Sequence, residues 1–169
     1  MLKRNLKYAP QTVKANAYSS LVRPKMEYAA TVWDPPSKTS INKLERVQRR
    51  AARFVLNYYS HYSSVNQMLK TLNWPTLQVR RTVSKITLMY KIVNNLVAVP
   101  HSYLPPFLTT PSRTSHLLSF QRPYTRTTYY SQSFFPSTIV LWNRLPCHIV
   151  SSPTIDSFAR NISSHLLSY

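Results

Sequence analysis

Hydrophobic residues recur at helical spacing along most of the chain, and the clearest case is the segment INKLERVQRRAARFV at residues 41–55. On a wheel of 3.6 residues per turn its apolar residues share one arc: Ile41, Leu44, Val47, Ala51, Phe54 and Val55. Thr39 or Ser40, just before the segment, can cap the helix. The pattern predicts an amphipathic helix whose apolar arc faces a core.

Four arginines occupy the opposite arc of this helix, and together they form what we call the arginine stripe: Arg46, Arg49, Arg50 and Arg53. Their spacing of i, i+3, i+4 and i+7 makes a single row about 10 Å long. Like charges so placed repel by a few tenths of a kcal/mol, roughly, for each pair. Glu45 is the acidic residue nearest to them in sequence. Two interpretations stay open, contact with a polyanion and a solvated face of an amphipathic helix.

Two further helical segments flank this one. Residues 11–33 have helical periodicity, with a kink expected at Pro24 because its ring displaces a backbone bond. Their apolar side is expected to contain Val13, Ala17, Leu21 and Val22. A short helix is predicted over residues 64–72, with Val65, Met68, Leu69 and Leu72 directed inward.

A longer helix is predicted over residues 76–94, capped by Thr76 and ended by a left-handed residue at Asn94 or Asn95. Its apolar residues lie nearly all round the wheel, as in a helix surrounded by others, so it is the expected centre of the core. Three basic residues are expected to project from it near one end: Arg80, Arg81 and Lys85.

The stretch from residue 97 to 132 changes character, because it contains five prolines and many Ser and Thr residues. It predicts an extended arm with a short strand at about residues 122–130. The arm carries aromatic and basic residues together: Tyr103, Tyr124, Tyr129, Tyr130, Arg113, Arg122 and Arg126. These could stack on unpaired bases, or the tyrosines could pack the arm back onto the helical body; both interpretations stay open.

Two short helices are predicted after the arm, at residues 136–144 and 154–167. The predicted fold is therefore mainly α. It consists of a small, thumb-like helical bundle at residues 1–97, a basic Pro/Tyr/Ser-rich extended arm at 98–133 and a short helical segment at 134–169.

Charge composition limits the classes of function. The 169 residues include 22 Lys and Arg but only four Asp and Glu, for a net charge of +18. Metal-dependent phosphoryl transfer needs two or more acidic ligands that converge, and general acid/base pairs need carboxylates in matched environments. The composition therefore indicates a binder of polyanions without its own catalytic centre or cofactor.

Residue types that are absent or occur once exclude further classes of function. Glycine is absent, so no phosphate-binding glycine loop, dinucleotide fingerprint or nucleophile elbow can be formed. The one cysteine, Cys147, permits no internal disulfide, and its neighbour His148 would diverge from it on a helix, which disfavours a hydrolytic pair. No run of about 18 apolar residues and no signal core are present, so an intracellular chain, cytoplasmic or nuclear and without a membrane partner, is expected.

Six segments carry a family resemblance: LVRPKMEYAATVWDP (21–35), INKLERVQRRAARFV (41–55), LNWPTLQVRR (72–81), LMYKIVNNL (88–96), SFFPSTIVLWNRLP (133–146) and PTIDSFARNI (153–162). In this order they resemble the C-terminal part of reverse transcriptases from jockey-like non-LTR retrotransposons. The resemblance extends over nearly the whole chain. At Asn95, and near Asn57, the family tends to have Gly.

The resemblance implies the thumb-like region of an RNA-directed DNA polymerase and the extension beyond it. Such a region would grip the phosphates of template RNA and growing DNA, with the arginine stripe as the main contact and four weaker candidates: Arg80, Arg81, Arg122 and Arg126. The palm that carries the metal-binding aspartates precedes these segments in the family, so the missing palm is an implied partner. No residue of this chain is assigned to the polymerase active site.

An alternative is a non-functional or structural remnant of a mobile element. In that case the apolar residues within 11–33, which could pack against the palm of the parent enzyme, would be exposed and would drive self-association.

Overall fold

The computed structural model describes residues 2–60, 63–109 and 116–167. These are mainly helical, as predicted, and contain no strand of a sheet, although Phe107 and Phe120 form an antiparallel bridge. The α-helices are α1 (Leu2–Asn5), α2 (Gln11–Ala17), α3 (Arg23–Glu27), α4 (Ala30–Trp33), α5 (Lys38–Leu56), α6 (Val65–Thr71), α7 (Leu77–Val93), α8 (Thr128–Gln132), α9 (Phe134–Trp142), α10 (Cys147–Val150) and α11 (Ile155–Leu167). None of the described helices combines the length and the apolar character that crossing a bilayer requires.

The chain divides into two compact units, Met1–Arg80 and Arg81–Tyr169. The boundary between them lies inside α7. The sequence pattern placed the first boundary after residue 97, where helical periodicity ends, whereas the two units meet within a continuous helix.

Pro24 interrupts the first long helical segment, as predicted. α2 continues through a π-helical turn, Tyr18–Val22, into α3, and the Arg23 N–H bonds to the Tyr18 carbonyl five residues back. Proline cannot donate a backbone bond and its ring crowds the carbonyl four residues earlier, so a wider turn before it relieves both problems. Ala29, with φ of 49°, separates α3 from α4.

α5 forms where the sequence predicts it, but its cap and its buried face differ from the prediction. Ser37 is the N-cap and accepts a hydrogen bond of 3.2 Å from the Ser40 N–H, so the expected caps at Thr39 and Ser40 were wrong. The buried residues are Glu45, Gln48, Ala52 and Val55, whereas Val47 is exposed.

Hydrogen bonds explain why polar residues of α5 lie inside. The Gln48 amide donates to the Pro75 carbonyl at 2.8 Å, and the Glu45 carboxylate accepts from the Gln78 N–H at 2.8 Å. A helical wheel ranks residues by hydrophobicity alone. It takes no account of backbone N–H and C=O groups elsewhere in the fold that need a hydrogen-bond partner. The apolar arc predicted for α5 is therefore rotated by about one position from the observed one.

The core of the first unit lies between α5 and its neighbours. Ala52 packs with Met68 and Leu69 of α6, which confirms the inward face predicted for the short helix. The Tyr18 ring stacks on Trp74 with centroids 4.6 Å apart. The contacts of Ala52 with Met68 and Leu69 fix α6 against α5, the helix that carries the arginine stripe.

This chain has no glycine, and asparagine follows three of its helices instead. Asn57, Asn73 and Asn95 have φ of 57°, 53° and 54° and follow α5, α6 and α7. Short polar side chains tolerate the left-handed region better than other non-glycine residues. The use of Asn as a left-handed stop after α7 is confirmed.

The second unit has its own core, formed by residues of α7, α9, α10 and α11, one residue of the arm and one of the loop between α9 and α10: Ile86, Met89, Tyr90, Phe120, Ile139, Trp142, Leu145, Ile149, Val150, Phe158 and Ile162. The Tyr90 hydroxyl donates to the Ser152 carbonyl at 2.6 Å. The helices predicted at residues 136–144 and 154–167 are present as α9 and α11.

The predicted arm packs on this core, though not through its tyrosines. Phe120 is buried and exchanges two hydrogen bonds with the Asn143 amide, of 3.0 and 2.8 Å. Trp142 donates from its indole nitrogen to the Leu118 carbonyl at 2.8 Å. The four arm tyrosines remain exposed. Of the two interpretations left open by the sequence, the one in which the tyrosines pack the arm back is therefore not supported by this core.

The strand predicted at residues 122–130 was also wrong, because α8 begins at Thr128 and the preceding residues form no ladder. Thr127 caps α8 through its side chain, which accepts from the Tyr130 N–H at 3.3 Å. Residues 110–115, including Arg113, lie outside the described residues.

Candidate nucleic-acid interface

The arginine stripe lines an open cleft of about 680 Å³ in the first unit. Arg46, Arg49 and Arg50 are exposed and Arg53 is half-buried. The opposite side of the cleft is formed by residues at the start of α6: Ser64, Val65 and Asn66. All four stripe residues predicted from the sequence are thus brought together at one surface.

Packing between α5 and α6 creates the cleft. Leu56 and Val65 are partly buried against the cluster of Ala52, Met68 and Leu69. The first residues of α6 are consequently held next to the guanidinium groups.

The charge of the cleft is uncompensated within the described residues, where no carboxylate oxygen lies within 4.0 Å of a nitrogen of the stripe. Glu45, the nearest acid in sequence, is buried and bonded to the Gln78 N–H. A cleft lined by one sign of charge concentrates the field and attracts counter-ions. Its chemistry suits an anion with several charged oxygens.

Arg80 is engaged with a carboxylate. Its Nε donates to Glu27 Oε1, and its Nη2 donates to Oε2 at 3.0 Å. The hydrogen bond to Glu27 raises the pKa of Arg80, with burial acting in the opposite direction. Arg80 is therefore a weaker candidate for phosphate contact than the stripe.

Arg81 and Lys85 do not project from α7. Arg81 is 2 % exposed and Lys85 is 6 % exposed, so the expectation that they reach solvent was wrong. The Arg81 guanidinium is not accessible to a polyanion in this structure.

Arg122 and Arg126 are exposed in the second unit, between Phe120 and α8. Tyr124, which stands between them in sequence, is 89 % exposed. This short basic and aromatic segment is held at one end by the paired hydrogen bonds of Phe120.

Sequence reasoning missed a basic residue of the first unit. Lys14 is 7 % exposed, and its Nζ lies 5.0 Å from the centroid of the Phe54 ring. The sequence pattern directed Val13 inward, but the structure leaves Val13 exposed and buries Lys14 with Tyr18. The signal that could have found it is the spacing of Lys14 and Tyr18, four residues apart on one helical face.

The described residues contain no group of three or more His, Cys, Asp and Glu side chains that could hold a metal ion. Cys147 is exposed at the first residue of α10.

Comparison of the chain with models of protein families, with curated proteins and with solved structures finds no match.

Proposed function

We propose that this chain binds nucleic acid through the arginine stripe, as the thumb-like C-terminal part of a jockey-like non-LTR reverse transcriptase without a catalytic centre of its own. One observation carries the proposal. Four guanidinium groups line a single open cleft, and no carboxylate of the described residues neutralises them. With this function, the chain is expected in the cytoplasm or nucleus.

The dimensions of the stripe suit a sugar-phosphate backbone. From Arg46 to Arg53 the helix rises about 10 Å, and successive phosphates of one strand advance about 3.4 Å along a duplex axis, so the row spans about three phosphate steps. Guanidinium groups bind phosphate oxygens in pairs, which gives strong and oriented hydrogen bonds. Contacts of this kind fix position and carry no sequence information, so we expect binding that is indifferent to sequence.

Salt dependence provides the direct test. If the four arginines neutralise four phosphates, log K against log salt has a slope of about −3.6 for a duplex and about −2.8 for a single strand. Fluorescence anisotropy with a labelled RNA–DNA hybrid, titrated at several salt concentrations, measures this slope. A slope near zero would defeat the proposal.

Two variants with the same net charge distinguish binding by the arginine stripe from binding by the overall positive charge of the chain. One carries Arg46→Gln, Arg49→Gln, Arg50→Gln and Arg53→Gln. The control changes four exposed cations elsewhere to Gln: Lys25, Lys70, Arg144 and Arg160. We expect the stripe variant to lose about one unit of slope for each residue changed, whereas the control keeps most of the slope. Equal losses in both variants would show that net charge, not the stripe, determines binding.

The alternative function, a structural or interaction remnant, is favoured by a different observation. Five large apolar residues within residues 11–33 are exposed: Val13, Leu21, Tyr28, Val32 and Trp33, with Val32 exposed by 84 %. Contiguous exposed apolar surface on a soluble chain marks a contact site or a cause of aggregation. The missing palm region of the parent polymerase is the implied partner of this surface.

Light scattering of the purified chain at moderate salt distinguishes the two functions. Concentration-dependent self-association together with weak binding of the hybrid would support the remnant. A stable monomer that binds the hybrid with the expected slope would exclude it.

A further inference from the structure

The second unit has a basic surface of its own, in the exposed stretch that leads into α8. We call residues 122–129 the Tyr124 segment. Exposed and half-buried side chains alternate over its first five residues, and the exposed ones are Arg122, Tyr124 and Arg126. Successive side chains of an extended backbone point to opposite sides. The two arginines and the tyrosine between them therefore share the outward side of the segment.

Pro123 explains the extended conformation. Its ring fixes its own φ and restricts Arg122, the residue before it, to the extended region. Residues 121–125 accordingly form neither a helix nor a turn. The order arginine, tyrosine, arginine along one side is thus a property of the local sequence.

Hydrogen bonds hold the segment near both ends. Just before it, the Gln121 N–H donates to the Pro106 carbonyl at 2.8 Å, next to the backbone bonds of Phe120 described above. Near its other end, the Thr127 side chain accepts from the Tyr130 N–H at 3.3 Å. A surface that is ordered before its ligand arrives loses less conformational entropy on binding.

The aromatic rings of the segment have open faces. Tyr124 is 89 % exposed, and Tyr129, in the first turn of α8, is 91 % exposed. Neither side chain makes a hydrogen bond, a ring contact or a cation contact within the part of the chain that the structure describes. Both rings are therefore available to a ligand.

The positive charge of the segment is also uncompensated. Within the described ranges, no carboxylate oxygen lies within 4.0 Å of a side-chain nitrogen of Arg122 or Arg126. The sequence from residue 81 to 169 contains one acidic residue, Asp156, which belongs to the first turn of α11. The segment thus combines open aromatic faces with guanidinium groups that an anion can reach.

A single strand of nucleic acid offers matching groups. Its phosphates form charge-assisted hydrogen bonds with guanidinium groups, and its unpaired bases stack on aromatic side chains whatever their sequence. The bases of a duplex are already stacked on one another, so they leave the tyrosines without a partner. An acidic peptide would match the arginines and make no use of the rings.

We propose that the Tyr124 segment binds single-stranded nucleic acid, with one base stacked on Tyr124, another on Tyr129, and Arg122 and Arg126 on phosphates to either side of the first base. This inference rests on the proposed function, in which nucleic acid is the partner. It deepens that function because it adds a second site, in the second unit, that prefers unpaired strands. Phosphate contacts of the arginine stripe need no unpaired base and carry no such preference.

Removal of one ring tests the stacking. Tyr124→Leu keeps an apolar side chain without an aromatic face, and Tyr8→Leu is the control at a tyrosine that is 90 % exposed in the first unit. We expect Tyr124→Leu to weaken binding of an oligothymidylate by about fivefold or more, the lower range for loss of one stacked base. Binding of a blunt duplex of the same length is expected to stay within about twofold, since phosphate contacts are unchanged.

A second substitution at the same position separates the ring from its hydroxyl. Tyr124→Trp retains an aromatic face, so it is expected to bind the oligothymidylate as well as the wild-type chain does. If Tyr124→Trp binds as weakly as Tyr124→Leu, the hydroxyl and not the ring makes the contact, and the inference is overturned.

The two arginines are tested through the salt dependence. One variant carries Arg122→Gln and Arg126→Gln, and the control carries Arg144→Gln and Arg160→Gln at two exposed arginines of the same unit. We expect the first variant to lose about 1.4 units of the slope for the oligothymidylate, from about 0.7 for each phosphate of a single strand. An equal loss in the control would show that the Tyr124 segment has no special role.

Two further readouts identify the ligand class. A single iodouracil in the oligonucleotide is expected to crosslink to Tyr124 or Tyr129, as located by mass spectrometry, and crosslinks confined to other residues would contradict the proposal. Polyglutamate with the same number of charges is expected to displace the oligothymidylate from the chain only weakly. Equal displacement would show that the segment binds any polyanion and does not recognise bases.

The outcomes also distinguish this inference from the proposed function. If the stripe variant binds both nucleic acids with an unchanged slope while Tyr124→Leu weakens binding of the single strand, the proposed function fails and this inference stands. If the stripe variant loses its slope while Tyr124→Leu behaves like Tyr8→Leu, this inference alone fails. Both fail if the wild-type chain binds neither nucleic acid.

Discussion

The Glu45 carboxylate accepts a hydrogen bond of 2.8 Å from the backbone N–H of Gln78, the second residue of α7. A negative charge at the first turn of a helix satisfies a free N–H group and interacts favourably with the helix dipole. The same bond directs the one acidic side chain of α5 away from the arginine stripe. This one hydrogen bond therefore stabilises the first unit and also leaves the positive charge of the cleft unneutralised.

Loss of this bond should destabilise the first unit. We expect Glu45→Ala to lower the free energy of unfolding by about 2 kcal/mol, because a buried charged acceptor is removed and the Gln78 N–H loses its partner. Urea denaturation followed by circular dichroism measures the change. Lys43→Ala, at an exposed position of the same helix, should change the free energy by less than about 0.5 kcal/mol; equal effects would show that Glu45 has no special role.

Reversal of one stripe charge should stabilise the free chain and weaken its binding. In Arg49→Glu, repulsion of Arg46 and Arg53 at i−3 and i+4 becomes attraction, worth roughly 0.5–1 kcal/mol in total at low salt. Thermal unfolding at low and high salt measures the gain, which screening should abolish. Affinity for the RNA–DNA hybrid should fall in the same variant. If the variant is instead less stable than the wild-type chain at low salt, anionic groups must lie near Arg49.

Arg80 should behave differently from the stripe because it is paired with Glu27. A double-mutant cycle of Glu27→Gln and Arg80→Gln is expected to give a coupling energy of about 0.5–1 kcal/mol, a small value because solvent reaches both side chains. Arg80→Gln alone should reduce affinity for the hybrid less than Arg49→Gln does. A larger loss for Arg80→Gln would place Arg80, rather than the stripe, at the interface.

The Tyr18 hydroxyl leads to a prediction about alkaline pH. Burial raises the pKa of Tyr18 above its ordinary value of 10.0, with smaller opposing contributions from Arg23 and Arg80. The folded chain therefore keeps the phenolic proton at a pH where the unfolded chain loses it, so stability falls as the pH rises above 10.0.

Tyr18→Phe removes both this dependence and a buried hydroxyl that lacks a partner among the described residues. We expect the variant to be more stable by about 1 kcal/mol at neutral pH. Its midpoint of thermal unfolding should also decline less than that of the wild-type chain in alkaline buffers. A variant with an unchanged alkaline decline would show that the hydroxyl is not shielded from water.

Ala29 offers a position where glycine should stabilise the chain. Its φ of 49° and ψ of 27° lie in the left-handed region, which costs a residue with a Cβ roughly 1–2 kcal/mol. Since glycine also loses more entropy on folding, we expect Ala29→Gly to raise the free energy of unfolding by about 0.5 kcal/mol. Asn57→Gly, at a residue that tolerates this conformation, should have a smaller effect in the same denaturation experiment.

The helices of this chain were largely predictable, because their periodicity and caps are local properties. Thr76 caps α7 as predicted, with its hydroxyl accepting from the Val79 N–H at 3.2 Å. Pro24 and Asn95 interrupt or end helices through their own backbone preferences. Local rules of this kind need no knowledge of the tertiary structure.

The buried faces were harder to predict, because they depend on partners distant in sequence. Gln48 is buried since its amide meets the Pro75 carbonyl, 27 residues away, and Glu45 is buried since it meets Gln78. For the candidate site, the row of arginines follows from spacing alone, whereas the cavity lined by Lys14, Arg50 and Phe54 requires α2 and α5 to lie against each other. Because a helical wheel represents a single helix, it cannot show a cavity that forms between two helices.

The exposed thiol of Cys147 has a practical consequence. Because cysteine occurs once in the chain, a maleimide dye attached there would label every molecule at the same atom, in the unit that does not contain the arginine stripe. The unmodified chain is thus ready for single-molecule fluorescence without prior mutagenesis. The same accessibility calls for a reducing agent during storage, since oxidation would join two copies through their sulfur atoms.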